Sequence, residues 1–209
     1  MSPEKTEQAT TEAPNALNPR TGQEELLEDL PWLAYHDDIT KVQVQHPSNK
    51  KITPISMYSW FQNLSNCVEI DGINDDNFDT RFLESMSCTF LGNKKLENLD
   101  LSNLTTHVKF TYVSSTFKSC ENLKTVNFSE KFNTSHIKSM ESLFNNCTSL
   151  ATLNITNFSN TSVENISNMF SGCSKLRYIK ADSNKWASGH TYPSSDSVFA
   201  GCKILAGYG

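Results

Sequence analysis

Six cysteines, five histidines and one run of acids are the residues of this 209-residue chain whose types could support chemistry. His36, His46, His107, His136 and His190 are scattered, with no pair at the i, i+4 spacing of a zinc-binding helix, and read as surface or turn residues. The cysteines form no Cys-x-x-Cys pair, which argues against a zinc site. No Gly-x-Ser-x-Gly elbow or phosphate-binding loop occurs, and the eight glycines are too dispersed to cradle a phosphate. Asp71, Asn74, Asp75, Asp76, Asn77 and Asp79 are the one candidate oxygen cage. The cage lacks the central Gly and closing Glu of a calcium loop, so it reads as a polar turn, with weak calcium binding as the alternative. A hydrolase built on Asp71, Asp75 and Asp79 would need a carboxyl kept protonated by its surroundings, and nothing in the sequence supplies one. These patterns point to a protein that is not an enzyme and uses no cofactor and no metal.

Positioning is where the sequence speaks. Phe61, Phe90, Phe117, Phe144, Phe170 and Phe199 lie 29, 27, 27, 26 and 29 residues apart. Each opens a frame with an apolar or small residue three, six and nine positions on, as in Phe144-Cys147-Leu150-Leu153, and the last frame breaks off after Phe199-Cys202-Leu205. A near-constant period of this length marks stacked supersecondary units, none of which could bury its apolar edge alone. Within a unit, Leu153 and Ile155 are two apart and suit a strand, while Ile137, Met140 and Leu143 are three apart and suit a helical turn. Thr or Ser before each such run reads as a helix N-cap. The expectation is an α/β repeat solenoid of leucine-rich-repeat type with five to six coils. A short parallel β-sheet lines its concave side, and helices of about ten residues line its convex side.

Three segments flank or form this stack. Residues 1–23 lack apolar periodicity and read as a disordered leader without the apolar segment of a signal peptide. A Thr/Pro/Glu-rich leader also fits a secreted surface protein whose signal has been removed. Residues 24–209 are the solenoid: an N-terminal cap over 24–60, repeats over 61–182 and an irregular C-terminal coil over 183–209. In the cap, Glu24 to Tyr35 is read as a short helix interrupted by Pro31, and Ile39 to Gln45 as a strand that closes the open end of the stack. Apolar content is 37%, and no run approaches the ~20 apolar residues of a membrane helix. The first 30 residues hold seven acids against two bases, which is the whole net charge of −5; the other 16 acids and 16 bases cancel. A body with no basic stripe has no electrostatic footprint for nucleic acid or anionic lipid.

Two stretches carry a family resemblance. NITNFSNTSVENISNMFSGCSKLRYI and VNFSEKFNTSHIKSMESLFNNCTSLATL resemble the BspA-type leucine-rich repeat of bacterial surface proteins, and LENLDLSNLTT matches its strand portion. The likeness runs from about Leu30 to Gly209, with Asn93 at a Cys position, Cys67 at a Leu position and an altered turn from Ser183 to Ser195 as departures. It implies a secreted or cell-surface protein, bacterial, that binds host or matrix components and has no characteristic active site. Cys120, Cys147, Cys173 and Cys202 recur with the repeat, and Leu64 and Asn93 occupy the same slot, so the thiols read as free rungs of a buried ladder, with disulfides as the alternative. Asn-x-Ser/Thr sequons, Asn103, Asn127, Asn146, Asn154 and Asn165 among them, follow from the repeat's own composition.

Residues alternating with the buried strand positions should project from the concave face. One column is Asp71, Asp100, Asn127, Asn154 and Lys180, and a second is Asn98, Thr125, Thr152 and Tyr178, with Ser102, Ser129, Thr156 and Asp182 beside them. These columns are short and polar, suited to hydrogen-bonding a glycan or peptide, and Tyr178 is their one aromatic anchor. The expected function is a noncatalytic binding or adhesion module, monomeric and without membrane insertion, for an extracellular protein or glycan. The alternative is a structural spacer or stalk presenting other modules.

Overall fold

The computed structural model describes residues 33–45, 50–186 and 190–202. The leader, the stretch 24–32 of the cap with Pro31 and Trp32, and Leu205 of the last frame lie outside them. The chain winds as successive coils, and the strands that pair from coil to coil run parallel. The strands are β1 (Lys41–Gln43), β2 (Glu69–Asp71), β3 (Asn98–Leu101), β4 (Thr125–Phe128), β5 (Thr152–Asn154) and β6 (Tyr178–Lys180). They pair as β1 with β2, β3 with β4 and β5 with β6, three two-stranded ladders in place of the one continuous sheet expected. β1 precedes the first repeat and pairs with β2, over Lys41–Gln43 within the longer stretch Ile39 to Gln45 read as a strand, with Val42 and Val44 packed on the core.

The core is a set of columns along the stack. Phe61, Phe90, Phe117, Phe144, Phe170 and Phe199 stack ring on ring at 5.7, 5.7, 5.1, 5.7 and 5.4 Å, the last four contacts within 10° of parallel. A second cluster of Phe110, Phe128, Phe132 and Phe158 is held by two edge-to-face contacts, one tilted and one stacked. Leu96, Leu123, Leu150 and Leu176 are fully buried, as the frame requires. The thiols of Cys120, Cys147, Cys173 and Cys202 donate to the carbonyls of Phe90, Phe117, Phe144 and Phe170, one coil back, at 3.0 to 3.1 Å. All six cysteines are free. Burial pushes Cys120 and Cys173 up to about 12 and Cys67 up to about 11. These thiols are packed donors and poor nucleophiles.

The helices expected on the far side are absent from the described residues. Among the described residues the one helix is a three-residue 3-10 turn, Leu33–Tyr35. From Met140 to Cys147 the backbone amides alternate between two destinations. Those of Met140, Ser142, Phe144 and Asn146 donate across to Asn165, Ser167, Met169 and Ser171 of the next coil, at 2.7 to 2.9 Å. Those of Leu143, Asn145 and Cys147 fold back to the carbonyls three residues earlier. An α-helix would send every amide to the carbonyl four residues back and leave none for a neighbouring coil. Each coil is also broken twice by a left-handed residue: Ser59, Cys88, Ser115, Ser142, Asn168 and Ser197 in one column, Asn63, Gly92, Ser119, Asn146, Gly172 and Gly201 in the other. Three-residue apolar spacing therefore comes from successive tight turns, each burying one side chain.

The expected N-caps have another use as well. Thr80 Oγ1 accepts from Thr105 N and donates to Thr105 O, at 2.8 and 2.9 Å. Thr134 makes the same two bonds with Ser159, at 2.6 and 2.9 Å. Each buried hydroxyl satisfies a neighbouring coil's backbone where no helix terminus exists to be capped.

Candidate functional site: the exposed strand face

Strand burial alternates as the sequence implies. In β3, Leu99 and Leu101 point into the core while Asn98 and Asp100 face outward, and in β5 Leu153 is buried between Thr152 and Asn154. All nine candidate residues, Asp71, Asn98, Asp100, Thr125, Asn127, Thr152, Asn154, Tyr178 and Lys180, are exposed on strands. Register brings them together in pairs: Asn98 opposite Thr125, Asp100 opposite Asn127, Thr152 opposite Tyr178 and Asn154 opposite Lys180. Of the residues placed beside them, Ser102 is exposed, Thr156 and Asp182 are half-buried, and Ser129 is buried. Ser129 turns inward because its hydroxyl accepts from Lys131 N and its carbonyl from Asn157 Nδ2.

Between β3 and β4 the columns bond side chain to side chain. Thr125 Oγ1 donates to Asn98 Oδ1 at 2.7 Å, and Asn127 Nδ2 donates to Asp100 Oδ1 at 3.1 Å. Asp100 is the hub: Ser102 N reaches the same oxygen at 3.0 Å, and Asn74 Nδ2 reaches Oδ2 at 2.8 Å. Partial burial pushes the Asp100 carboxyl up, and the bonds from Ser102, Asn74 and Asn127 outweigh it, so the group sits below its ordinary range. At the N-terminal edge, Lys41 Nζ lies 2.6 Å from Glu69 and holds that carboxylate low. Burial, then the neighbouring Glu69, raises Asp71. At the other edge the Tyr178 ring is 53% exposed, in register with Thr152. The face therefore offers amides, hydroxyls and carboxylates at strand spacing, a phenol at one edge, and no nucleophile held by a base.

The acid cluster does not form a cage. Asp79 is locked by Arg81 through three bonds of 2.7 to 3.0 Å, Asn74 is spent on Asp100, and Asp75 accepts from Asn77 N at 2.7 Å. Among the described residues no three His, Cys, Asp or Glu side chains gather where they could hold a metal ion. The open cleft beside the cluster, about 230 Å³, sets Lys51, Arg81 and Lys131 against Asp75, Asp76 and Asp79 and so selects neither charge. Sequence reasoning singled out Asn74 only as a member of the oxygen cage; its bond to Asp100 depends on reaching the following coil, which the spacing does not show.

A family model described as "Mycoplasma protein of unknown function, DUF285" matches residues 55–186. None of the curated proteins compared matches the chain. Among solved structures, the chain is similar to a leucine-rich repeat protein from Eubacterium ventriosum ATCC 27560, with 13% identity, 88% of each chain covered and a TM-score of 0.25. That superposition is too loose to carry an argument about this fold.

Proposed function

The chain belongs to the family described as Mycoplasma protein of unknown function, DUF285, and we propose that it is a noncatalytic binding or adhesion module of leucine-rich-repeat type. Its ligand would be an extracellular protein or glycan, met by the strand face of a secreted or cell-surface protein. One observation carries this reading: nine exposed side chains stand on five successive strands, eight of them in register as pairs, and those of β6 are an exposed aromatic ring and an ammonium group, Tyr178 and Lys180. A rigid polar lattice with an aromatic at its edge suits a sugar ring or an extended peptide, since stacking supplies area and the short polar groups supply direction.

A spacer or stalk is the second reading, and a specific observation favours it. Thr125 and Asn127 spend donors on Asn98 and Asp100, so part of the lattice is already satisfied without a ligand. A glycan and matrix-protein array probed with the full chain separates the two. Saturable binding that Tyr178→Ala or Asn154→Ala weakens at least tenfold supports the strand-face site. Binding untouched by both substitutions sinks that site, and silence across the array favours the spacer.

A further inference from the structure

Among the described residues, no further coil lies on the edge of the sixth coil. Between the fifth and sixth coils the amides of Ile166, Asn168, Phe170 and Gly172 donate to the carbonyls of Ser194, Asp196, Val198 and Ala200, at 2.9, 2.8, 2.9 and 2.7 Å. The equivalent amides of the sixth coil are those of Ser195, Ser197, Phe199 and Gly201, and among the described residues none of the four meets an acceptor. The coil repeats the turn pattern of the others, with φ of +54° at Ser197 and +76° at Gly201. Its ring column is uncovered too: Phe199 is 44% exposed, where Phe61, Phe90, Phe117, Phe144 and Phe170 are 5% or less. An aromatic face beside a row of unpaired donors is a template for pairing with another backbone.

We propose that this edge is a docking surface for a further coil of the same repeat, carried on another polypeptide. The coil-to-coil junctions within the chain define what fits. The incoming segment must present carbonyls immediately before and after an aromatic residue, as Leu143 and Asn145 do for the amides of Phe117 and Ser119. It must place its ring about 5 to 6 Å from Phe199, as the rings within the stack are placed. Three residues further on it needs a short donor for the Phe199 carbonyl, the part that Cys202 plays toward Phe170. An ordinary extended strand does not qualify, because alternate amides here are drawn into turns closing on the third residue back, which shortens the carbonyl spacing below the ~6.8 Å of two strand residues. Two copies cannot meet through this edge alone, since both would bring donors. The inference is independent of the strand-face reading, because it uses a different surface and different atoms.

The test uses the full chain and a fluorescein-labelled peptide of residues 137–150, IKSMESLFNNCTSL. The expected result is saturable binding with slowed hydrogen exchange at amides 195–201. Binding should weaken at least tenfold when the chain carries Phe199→Asp, or when the peptide's Phe144 is replaced by Ala. Because Phe199 is 44% exposed and has one stacking neighbour, Phe199→Asp should lower the thermal melt only modestly and leave the chain folded at the assay temperature, which keeps the loss of binding interpretable. The same amides are followed in the chain alone as its concentration rises. Protection there, abolished by Phe199→Asp, identifies a second copy as the supplier of the coil. Amides 195–201 that exchange at one rate in the chain alone, at high concentration and with saturating peptide overturn the proposal.

Discussion

Phe144→Ala tests the stacked-coil architecture most directly. The ring is fully buried, 5.1 Å from Phe117 and 5.7 Å from Phe170, at 10° and 4° to them. Truncating a buried Phe costs roughly 3 to 5 kcal/mol, combining the transfer term with a cavity that rigid neighbours on both sides cannot close. Two ring contacts are lost as well, each worth about 0.5 to 1.5 kcal/mol beyond buried area, so the upper part of the range applies. Phe199→Ala is the internal control. That ring is 44% exposed and has a single stacking neighbour, Phe170 at 5.4 Å, so its loss should cost about 1 to 2 kcal/mol. At an m-value of about 2 kcal/mol/M, Phe144→Ala should lower the urea midpoint by about 2 M and Phe199→Ala by about 0.5 to 1 M, with m unchanged. Phe144→Leu should fall between them, since it keeps most of the volume and loses the ring contacts. Equal midpoint shifts for the two alanine variants would refute the reasoning, because they would mean that the column does not transmit packing from coil to coil.

Three further outcomes follow from the same geometry. With a thiol-specific reagent at pH 8, half-buried Cys202 and Cys88 should label before Cys67, Cys120, Cys147 and Cys173, and denaturant should release all six. Labelling of Cys147 as fast as Cys202 would remove the buried ladder. Gly172→Ala should cost more than Gly201→Ala in the same urea melts. Both residues have φ near +77°, but a Cβ at Gly172 would sit 2.0 Å from Asn146 Oδ1 while the nearest atom at Gly201 is 3.6 Å away. The left-handed penalty of about 1 to 2 kcal/mol is common to both, so equal costs would mean that Asn146 does not lean over Gly172. The Arg81 guanidinium, through its bonds, holds the Asp79 carboxyl below its ordinary range. That stability is present above about pH 4, the unfolded carboxyl's range, and is lost as pH falls through the lower folded value. Asp79→Asn should therefore destabilise the chain at pH 7 and shrink the loss on acidification, and an unchanged acid limb would count against the pair.

The parts of this fold that sequence reading reached are those set by side-chain period alone. Six phenylalanines in register implied a column of rings, and Leu153 and Asn154 alternating about the β5 backbone implied one buried and one exposed neighbour. The helices were misread because apolar spacing of three is common to a helix and to a succession of tight turns. Periodicity cannot distinguish amides that all close on the fourth residue back from amides that alternate between the third residue back and the next coil. Backbone chemistry held a clue: Asn63, Gly92, Asn146, Gly172 and Gly201 are residue types that tolerate positive φ, and they stand two residues after the phenylalanine in five of the six coils, with Ser119 in the remaining one. A residue of that kind in five units out of six argues against a helix through the point where it stands. The partner column of Ser59, Cys88, Ser115, Ser142, Asn168 and Ser197 was less legible, since serine and cysteine rarely accept such a conformation; the amides of the first five bond to the next coil's carbonyls, and Ser197 keeps the conformation without that bond. The same bonds bear on the coil of Phe199: from Phe61 to Phe170 each coil's alternate amides are completed by the next coil, and among the described residues those of the Phe199 coil are not.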